Sequence, residues 1–260
     1  MSGGLGIEQR QRALAERVRA YLDGPLRDLP TGVRLGPRLG GAAVLAVGAH
    51  PLGVAGERSP LQVEVVLAAD EWARLCAQAR PSDLLLSDPS LPGVVRVRGV
   101  DWLRERLEDP AGLWLRQRGM IVHDPAGRVG DLVRQALADF RGRVDGLVAA
   151  AYRHFREGFE TADATLDGLG RRLLLARGVE AALVLPLLCR CEPYPPPEWL
   201  SWHLSRVCDE GERIAGLCGR AAAGTAVDLQ AYAALRRLID DTLDAAGHGE
   251  ATVRAYRQWA

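Results

Sequence analysis

Two short apolar runs, at 44–47 and 63–67, are joined by a glycine-rich turn, and this pairing narrows the choice of fold more than any other segment. Both runs are rich in β-branched residues and bounded by Gly, Pro or Ser, which is typical of buried strands. Because side chains alternate along a strand, Gln62, Glu64 and Val66 are expected on one face of the second strand. That face carries the polar groups of an otherwise apolar segment and is the first place to look for chemistry.

The chain separates into a mixed first half and a helical second half. A further strand is predicted at 94–98, a strand-like run at 120–123, and helices at 7–22 and after Asp70 and Asp101 as N-caps. From about residue 130 the apolar spacing is helical throughout, and helices are predicted at 130–141, 143–160, 163–190, 198–218 and 226–246. The fold class is therefore α/β with a mixed sheet at 1–127, followed by an all-α helical bundle at 128–260.

Composition excludes some classes of function. The chain has 260 residues, of which 48% are hydrophobic, and its 33 basic and 33 acidic residues give a net charge of zero. No global field therefore recruits nucleic acid or an anionic membrane. No run approaches the ~20 apolar residues of a membrane helix, and five irregularly spaced cysteines suit a reducing compartment. We expect a cytoplasmic protein that binds neither nucleic acid nor membrane.

The strand, glycine turn and strand resemble the signature of the polymerase-β-like nucleotidyltransferase superfamily. In that superfamily a Gly-Ser turn leads to Ser-Asp-x-Asp, whose two carboxylates hold Mg²⁺ on nucleotide phosphates. The Gly-Ser turn falls here on Gly48 and Ala49. Ser-Asp-x-Asp falls on the segment from Ser59 to Gln62, so that Pro60 and Gln62 stand where the two aspartates are expected.

The third metal-binding carboxylate of the superfamily is expected on the strand at 94–98, where this chain offers Arg96 and Arg98. Proline has no side-chain ligand, a glutamine carboxamide is neutral, and arginine repels a cation. The resemblance therefore implies a nucleotidyltransferase-like scaffold with a degenerate metal site. No metal and no cofactor are expected, and Mg²⁺ with ATP enters only if the protein is an active transferase.

A second resemblance rests on Asp101-Trp102-Leu103, His123-Asp124-Pro125 and the segment from Tyr194 to Leu200. These motifs look like a bacterial family in which a nucleotidyltransferase-like domain precedes a helical domain with Tyr-Pro-Pro and Lys-Trp-Leu. The kanamycin and lincosamide nucleotidyltransferases share that layout. This chain has Glu198 where the family has lysine, and a carboxylate there would repel phosphate.

Candidate catalytic residues are His50, in the glycine turn, and Glu64, on the second strand. Glu64 has three interpretations: a displaced metal ligand, a polar residue at the cleft edge, or a partner for Arg96 or Arg98. His50 is either an acid or base or an exposed loop histidine. If Arg96 and Arg98 share one face of their strand, their guanidinium groups would match the two oxygens of a carboxylate or phosphate group. The candidate ligand- or anion-binding residues are Gly48, Ala49, Arg58, Ser59, Gln62, Arg96 and Arg98.

Two further segments also offer alternatives. Asp124 precedes a predicted helix and is expected to cap it rather than to act in catalysis. Polar and aromatic residues recur at helical spacing from Tyr152 to Phe159, either as a substrate-facing wall or, as we favour, as core.

Three functional hypotheses follow. The first is a nucleotidyltransferase-like protein that has lost metal-dependent transfer and binds a small molecule or regulates a protein partner. The second is an active small-molecule transferase in which Glu64 acts with displaced acids such as Asp88 or Asp101. The third is a metal-free enzyme using His50, Glu64, Arg96 and Arg98. The resemblance to antibiotic-modifying enzymes also implies a possible homodimer.

Overall fold

The computed structural model divides into two compact units, Met1–Ala136 and Leu137–Ala260. It describes residues 7–23, 40–55, 59–78, 85–88, 91–164, 168–224 and 226–259. The first unit is α/β and the second is helical. The predicted fold class is therefore confirmed.

The first unit is built on a five-stranded mixed sheet. Its strands are β1 (Ala43–Val47), β2 (Leu61–Leu67), β3 (Leu85–Asp88), β4 (Leu91–Gly99) and β5 (Met120–His123), in the spatial order β3-β4-β2-β1-β5. The pairing of β2 with β4 is parallel, and the other pairings are antiparallel. The predicted strands are confirmed, with β1, β2 and β4 extending beyond their predicted ends, whereas β3 was not predicted.

Helices cover both faces of this sheet. They are α1 (Ile7–Asp23), α2 (Ala69–Cys76), α3 (Val100–Glu108) and α4 (Pro110–Gln117). On one face, Leu14 and Leu75 pack with the apolar side chains of the central strands. On the other face, α3 lies against β2 and β4 while α4 lies against β1. Glu64 belongs to this second face because Val63 and Val65 point into the first.

Two predicted helix caps are wrong. The N-cap of α2 is Ala68 rather than Asp70, and the N-cap of α3 is Gly99 rather than Asp101. Both aspartates lie instead in the first turn of their helices, where a carboxylate interacts favourably with the helix dipole without capping it. By contrast, Asp124 caps the next helix as predicted, accepting hydrogen bonds from three successive backbone N–H groups at 128–130.

The second unit contains most of α5 (Arg128–Ala164) with α6 (Gly168–Cys189), α7 (Pro197–Val207), α8 (Gly211–Ala222), α9 (Leu229–Ala245) and α10 (Gly249–Trp259). The predicted break near Gly142 is wrong, since an isolated glycine costs only about 1 kcal/mol in a helix. The predicted helix at 198–218 is two helices. The loop between them ends at Gly211, which lies close to the backbone of Leu204. A Cβ added to Gly211 would lie 2.3 Å from the Leu204 carbonyl oxygen. The C-terminal α10 was not predicted.

An aromatic core and one carboxylate join the helices of this unit. Tyr152, Phe155 and Phe159 of α5 are buried, which confirms the interpretation as core. Glu160 accepts hydrogen bonds from Arg156 at 2.7 Å, from Tyr232 of α9 at 3.0 Å and from Tyr256 of α10 at 2.7 Å. Glu160 therefore connects three helices.

Two further features bear on the expectations drawn from composition, namely membrane-spanning helices and disulfides. Among the described residues, no helix is long and apolar enough to cross a membrane. All five cysteines are free.

Candidate functional site

Glu64 lies at the centre of the sheet, opposite an arginine on the neighbouring strand. In the parallel pairing of β2 with β4, Glu64 is registered with Arg96 and Val66 with Arg98. Residues two apart on a strand share a face, so both arginines lie on the face of Glu64. The strand register therefore brings both of these candidate anion-binding residues to the site of Glu64.

The ion-pair partner of Glu64 is Arg116 of α4 rather than the expected Arg96 or Arg98. Its Nη2 donates to Glu64 Oε1 at 2.8 Å, and both side chains are 4% exposed. Helix α4 is fixed at its start, where Asp109 accepts a hydrogen bond from the Gly112 N–H at 2.9 Å. Arg116 Nη1 also donates to the Gly112 carbonyl at 2.9 Å. The short helix therefore delivers one guanidinium to the buried carboxylate.

This buried pair is incompletely hydrogen-bonded. Glu64 Oε2 and Arg116 Nε are both buried, and neither has a hydrogen-bond partner among the described residues. Burial raises the pKa of Glu64 and lowers the pKa of Arg116, while the attraction between the two groups opposes both changes. Removal of either charge would leave its partner buried and uncompensated.

Further arginines surround the pair. Arg96 and Arg106 both act electrostatically on Glu64. The Trp102 ring of α3 lies close to three guanidinium groups, with centroid distances of 5.0 Å to Arg116, 5.8 Å to Arg98 and 5.9 Å to Arg106. We call Arg96, Arg98, Arg106 and Arg116, with Trp102, the arginine cluster. Three guanidinium groups, those of Arg116, Arg96 and Arg106, thus act on one carboxylate, and that of Arg98 lies beside the same tryptophan ring.

The arginine cluster is graded in exposure. Arg116 is buried, Arg96, Arg98 and Trp102 are half-buried, and Arg106 is exposed. A guanidinium that is partly withdrawn from water binds an anion more strongly than a fully solvated one, because its attraction is less screened. The cluster therefore has the chemistry expected of an anion site, with Arg116 at its buried end and Arg106 at its exposed edge.

The glycine turn is a compact loop beside Gln62. Gly48 has a φ of +85°, and a Cβ there would lie 3.4 Å from the Gln62 side chain. His50 is half-buried and its Nε2 lies 2.9 Å from the Ser59 carbonyl oxygen, closing the loop. Ala49 accepts a hydrogen bond from the Val54 N–H. Arg58 lies outside the described residues. The turn residues thus lie together near Gln62, while Glu64 is engaged with α4.

These residues do not fit the Mg²⁺ site that the sequence resemblance implies. Its ligand positions hold Pro60, Gln62 and an arginine, and Glu64 is ion-paired with Arg116. The displaced acid Asp101 is exposed and bonds Arg104 at 2.6 Å. The side chain of Asp88 lies outside the described part of the chain. Within that part, no three His, Cys, Asp or Glu residues form a group suited to a metal.

Sequence reasoning missed Arg116, Arg106 and the central position of Trp102. A carboxylate in an otherwise apolar strand does signal a buried cationic partner. All 33 basic residues are arginine, however, and spacing alone does not identify which one reaches Glu64 from a separate helix. Trp102 was noted only as part of a motif.

Comparison with known proteins finds similarity to solved structures. No protein-family model and no curated protein matches the chain. A solved structure described as a nucleotidyltransferase-like protein from Exiguobacterium sibiricum is similar at 13% identity and a TM-score of 0.42. The similarity covers 95% of this chain and 78% of that chain.

Proposed function

We propose that this protein binds an anionic ligand at the arginine cluster and acts as a ligand-binding or partner-regulating protein, without metal-dependent nucleotide transfer. One observation carries the proposal: the carboxylate closest to a metal-ligand position, Glu64, is buried in an ion pair with Arg116 and has two further arginines acting on it. A divalent cation would have to displace a guanidinium and approach several others.

The arginine cluster instead suits a phosphate or carboxylate group. The half-buried Arg96 and Arg98 and the exposed Arg106 are positioned on two elements, β4 and α3. Arginine donates in a planar fork that matches both oxygens of such a group. The three guanidinium groups near Trp102 repel one another, so an anion placed among them relieves that repulsion. The ligand is accordingly a small anionic molecule or an anionic group on a protein partner.

Charge-neutralising variants of α3 test the proposal. Pyrophosphate is titrated calorimetrically into the wild-type protein and into the R106Q and R104Q variants, without divalent metal. Arg104 is a matched control because it lies on the same helix, is exposed and pairs with Asp101 outside the cluster. We expect R106Q to weaken binding about tenfold, since a hydrogen bond to a charged group contributes roughly 1.5–3 kcal/mol. R104Q is expected to bind like the wild type.

The same titration can contradict the proposal. Equal loss in R104Q and R106Q would indicate nonspecific attraction to surface charge. Failure of pyrophosphate, inorganic phosphate and citrate to bind at all would remove the arginine cluster as an anion site. Binding that appears only when Mg²⁺ is added would favour an active transferase with displaced carboxylates.

A further inference from the structure

A groove in the helical unit lies between the first half of α6 and the end of α8. It has a volume of about 640 Å³. Its lining includes Gly168, Arg171, Arg172 and Leu175 from α6, with Ala222 and Gly224 from the chain at the end of α8. Several of the lining residues are glycine or alanine, and such small side chains leave room beside the two helices.

The two halves of α6 differ in burial. Its second half is enclosed by the unit, since all residues at 181–188 are buried. In its first half Leu169 is 68% exposed and Leu173 is 64% exposed. Each leucine lies three positions before a groove residue, Arg172 and Ala176, so both border the groove on the helix surface. A helix that is apolar on several sides is normally buried, and exposed leucines beside a concavity mark an interaction surface.

The first half of α6 is basic. Residues 168–179 contain three arginines, at 171, 172 and 177, and the next residue on the helix is the exposed Glu180. The segment also begins a helix, so the positive end of the helix dipole adds to these charges. A partner that covers the leucines therefore meets a basic border, and acidic side chains would complement it.

We propose that the α6–α8 groove binds an amphipathic helix of a partner protein, with leucine-like residues facing the groove and acidic residues flanking them. The first half of α6 is about 18 Å long at 1.5 Å per residue, which matches roughly three turns of a docked helix. The surface is concave, which suits a helix in a groove more than the flat plane of a membrane. The groove shares no residue with the arginine cluster and does not depend on it.

A designed peptide provides the probe. A labelled amphipathic peptide of about 18 residues, long enough to form a helix, carries leucine on one face and glutamate at its flanks. A second peptide has lysine in place of glutamate. Binding to the full chain is measured by fluorescence anisotropy. We expect the glutamate peptide to bind at least tenfold more tightly than the lysine peptide.

Matched variants locate the binding. The L169S/L173S double variant and R172E are each expected to weaken binding at least tenfold. Two controls lie on α9: L229S changes a leucine that is 61% exposed, and R237E changes an exposed arginine. Both controls are expected to bind like the wild type, and circular dichroism verifies that all variants keep their helical content.

Four outcomes would overturn the proposal. The first is no binding of the glutamate peptide, and the second is equal binding of both peptides. The third is a loss of peptide affinity in L229S or R237E equal to that in the groove variants. The fourth is evidence that something other than a partner helix occupies the groove. Sedimentation with anionic phosphatidylserine vesicles that is lost in L169S/L173S would indicate a membrane, and concentration-dependent self-association that is lost in this variant would indicate a second copy of the chain.

Discussion

The guanidinium of Arg116 and the carboxylate of Glu64 form a buried ion pair, 2.8 Å apart, that joins α4 to the central strand of the sheet. Such a buried pair stabilises the fold when it is compared with variants that lack one partner, because the remaining charge would be left in an apolar environment. The pair therefore acts first on the stability of the α/β unit, and through it on the geometry of the arginine cluster.

Breaking this pair on one side is expected to be costly. The R116M variant keeps most of the side-chain volume and leaves Glu64 without its partner, so we expect a loss of about 3–5 kcal/mol in the free energy of unfolding. Urea denaturation at pH 7 measures this loss. R104M, which breaks an exposed pair with Asp101, is the control and is expected to change stability by less than about 1 kcal/mol.

Replacing both members of the pair tests whether the loss in R116M comes from the unpaired charge of Glu64. The E64L/R116M double variant removes both buried charges and is expected to be more stable than R116M alone. A double variant as unstable as R116M, or an R116M variant within about 0.5 kcal/mol of wild type, would contradict the role assigned to the pair.

Helices α5 and α6 approach each other closely at two glycines. A Cβ on Gly158 would lie 2.5 Å from the Gly178 Cα, which is backbone that cannot move away on its own. We expect G158A to destabilise the helical unit by about 1–3 kcal/mol, as overpacking does. In the control G146A, also on α5, nothing lies within 4 Å of the new Cβ, and stability should rise by up to about 1 kcal/mol. Thermal denaturation of both variants distinguishes packing from helix propensity.

The Glu160 network predicts a pH dependence. Burial alone would raise the pKa of Glu160, but hydrogen bonds from Tyr256 and Arg156 lower it below its ordinary value of 4.5. The folded state thus favours the carboxylate, and its contribution to stability is complete above pH 4.5 and is lost as the pH falls through the lower folded pKa. The side chain is 37% exposed, so solvent screens part of the effect.

Comparing E160Q with wild type over a pH series measures this contribution. The stability advantage of the wild type over E160Q at pH 7 is expected to shrink below pH 4.5. E157Q alters an exposed glutamate one turn earlier on α5 and serves as the control. An advantage that stays constant down to pH 3 would show that the network does not depend on the charge of Glu160.

Asp124 predicts a local effect at the start of α5. Its carboxylate accepts from the N–H groups of Arg128, Val129 and Gly130 at 2.9–3.2 Å. D124A is expected to cost about 1 kcal/mol and D124N much less, since asparagine also caps helices. Hydrogen exchange at these three amides reads the cap directly, and unchanged protection in D124A would contradict it.

The sequence predicted much of the sheet because its strands are short, β-branched and clearly bounded. Alternation also placed Glu64 and Gln62 on one face, which the register with Arg96 agrees with. Asp124 was predicted because capping is a local interaction. The fold class followed from the change in apolar spacing near residue 130.

The features that the sequence did not predict depend on contacts between distant residues, which the spacing of apolar residues does not reveal. The predicted break at Gly142 gave too much weight to one glycine, and the loop before Gly211 depends on its contact with Leu204. The helix that carries Tyr256 follows the last predicted helix, and it contributes a hydrogen bond to Glu160 that apolar spacing does not reveal. The Glu64–Arg116 pair spans 52 residues, so only the folded chain identifies it.

Calorimetric titration of the wild-type protein with ATP, with and without Mg²⁺, tests the central claim most directly. An anion site made of arginines is expected to bind the triphosphate without metal, and Mg²⁺ should leave the affinity unchanged or weaken it, because the metal neutralises phosphate charge. Tight binding that requires Mg²⁺ would contradict this account and would indicate that displaced carboxylates assemble a metal site.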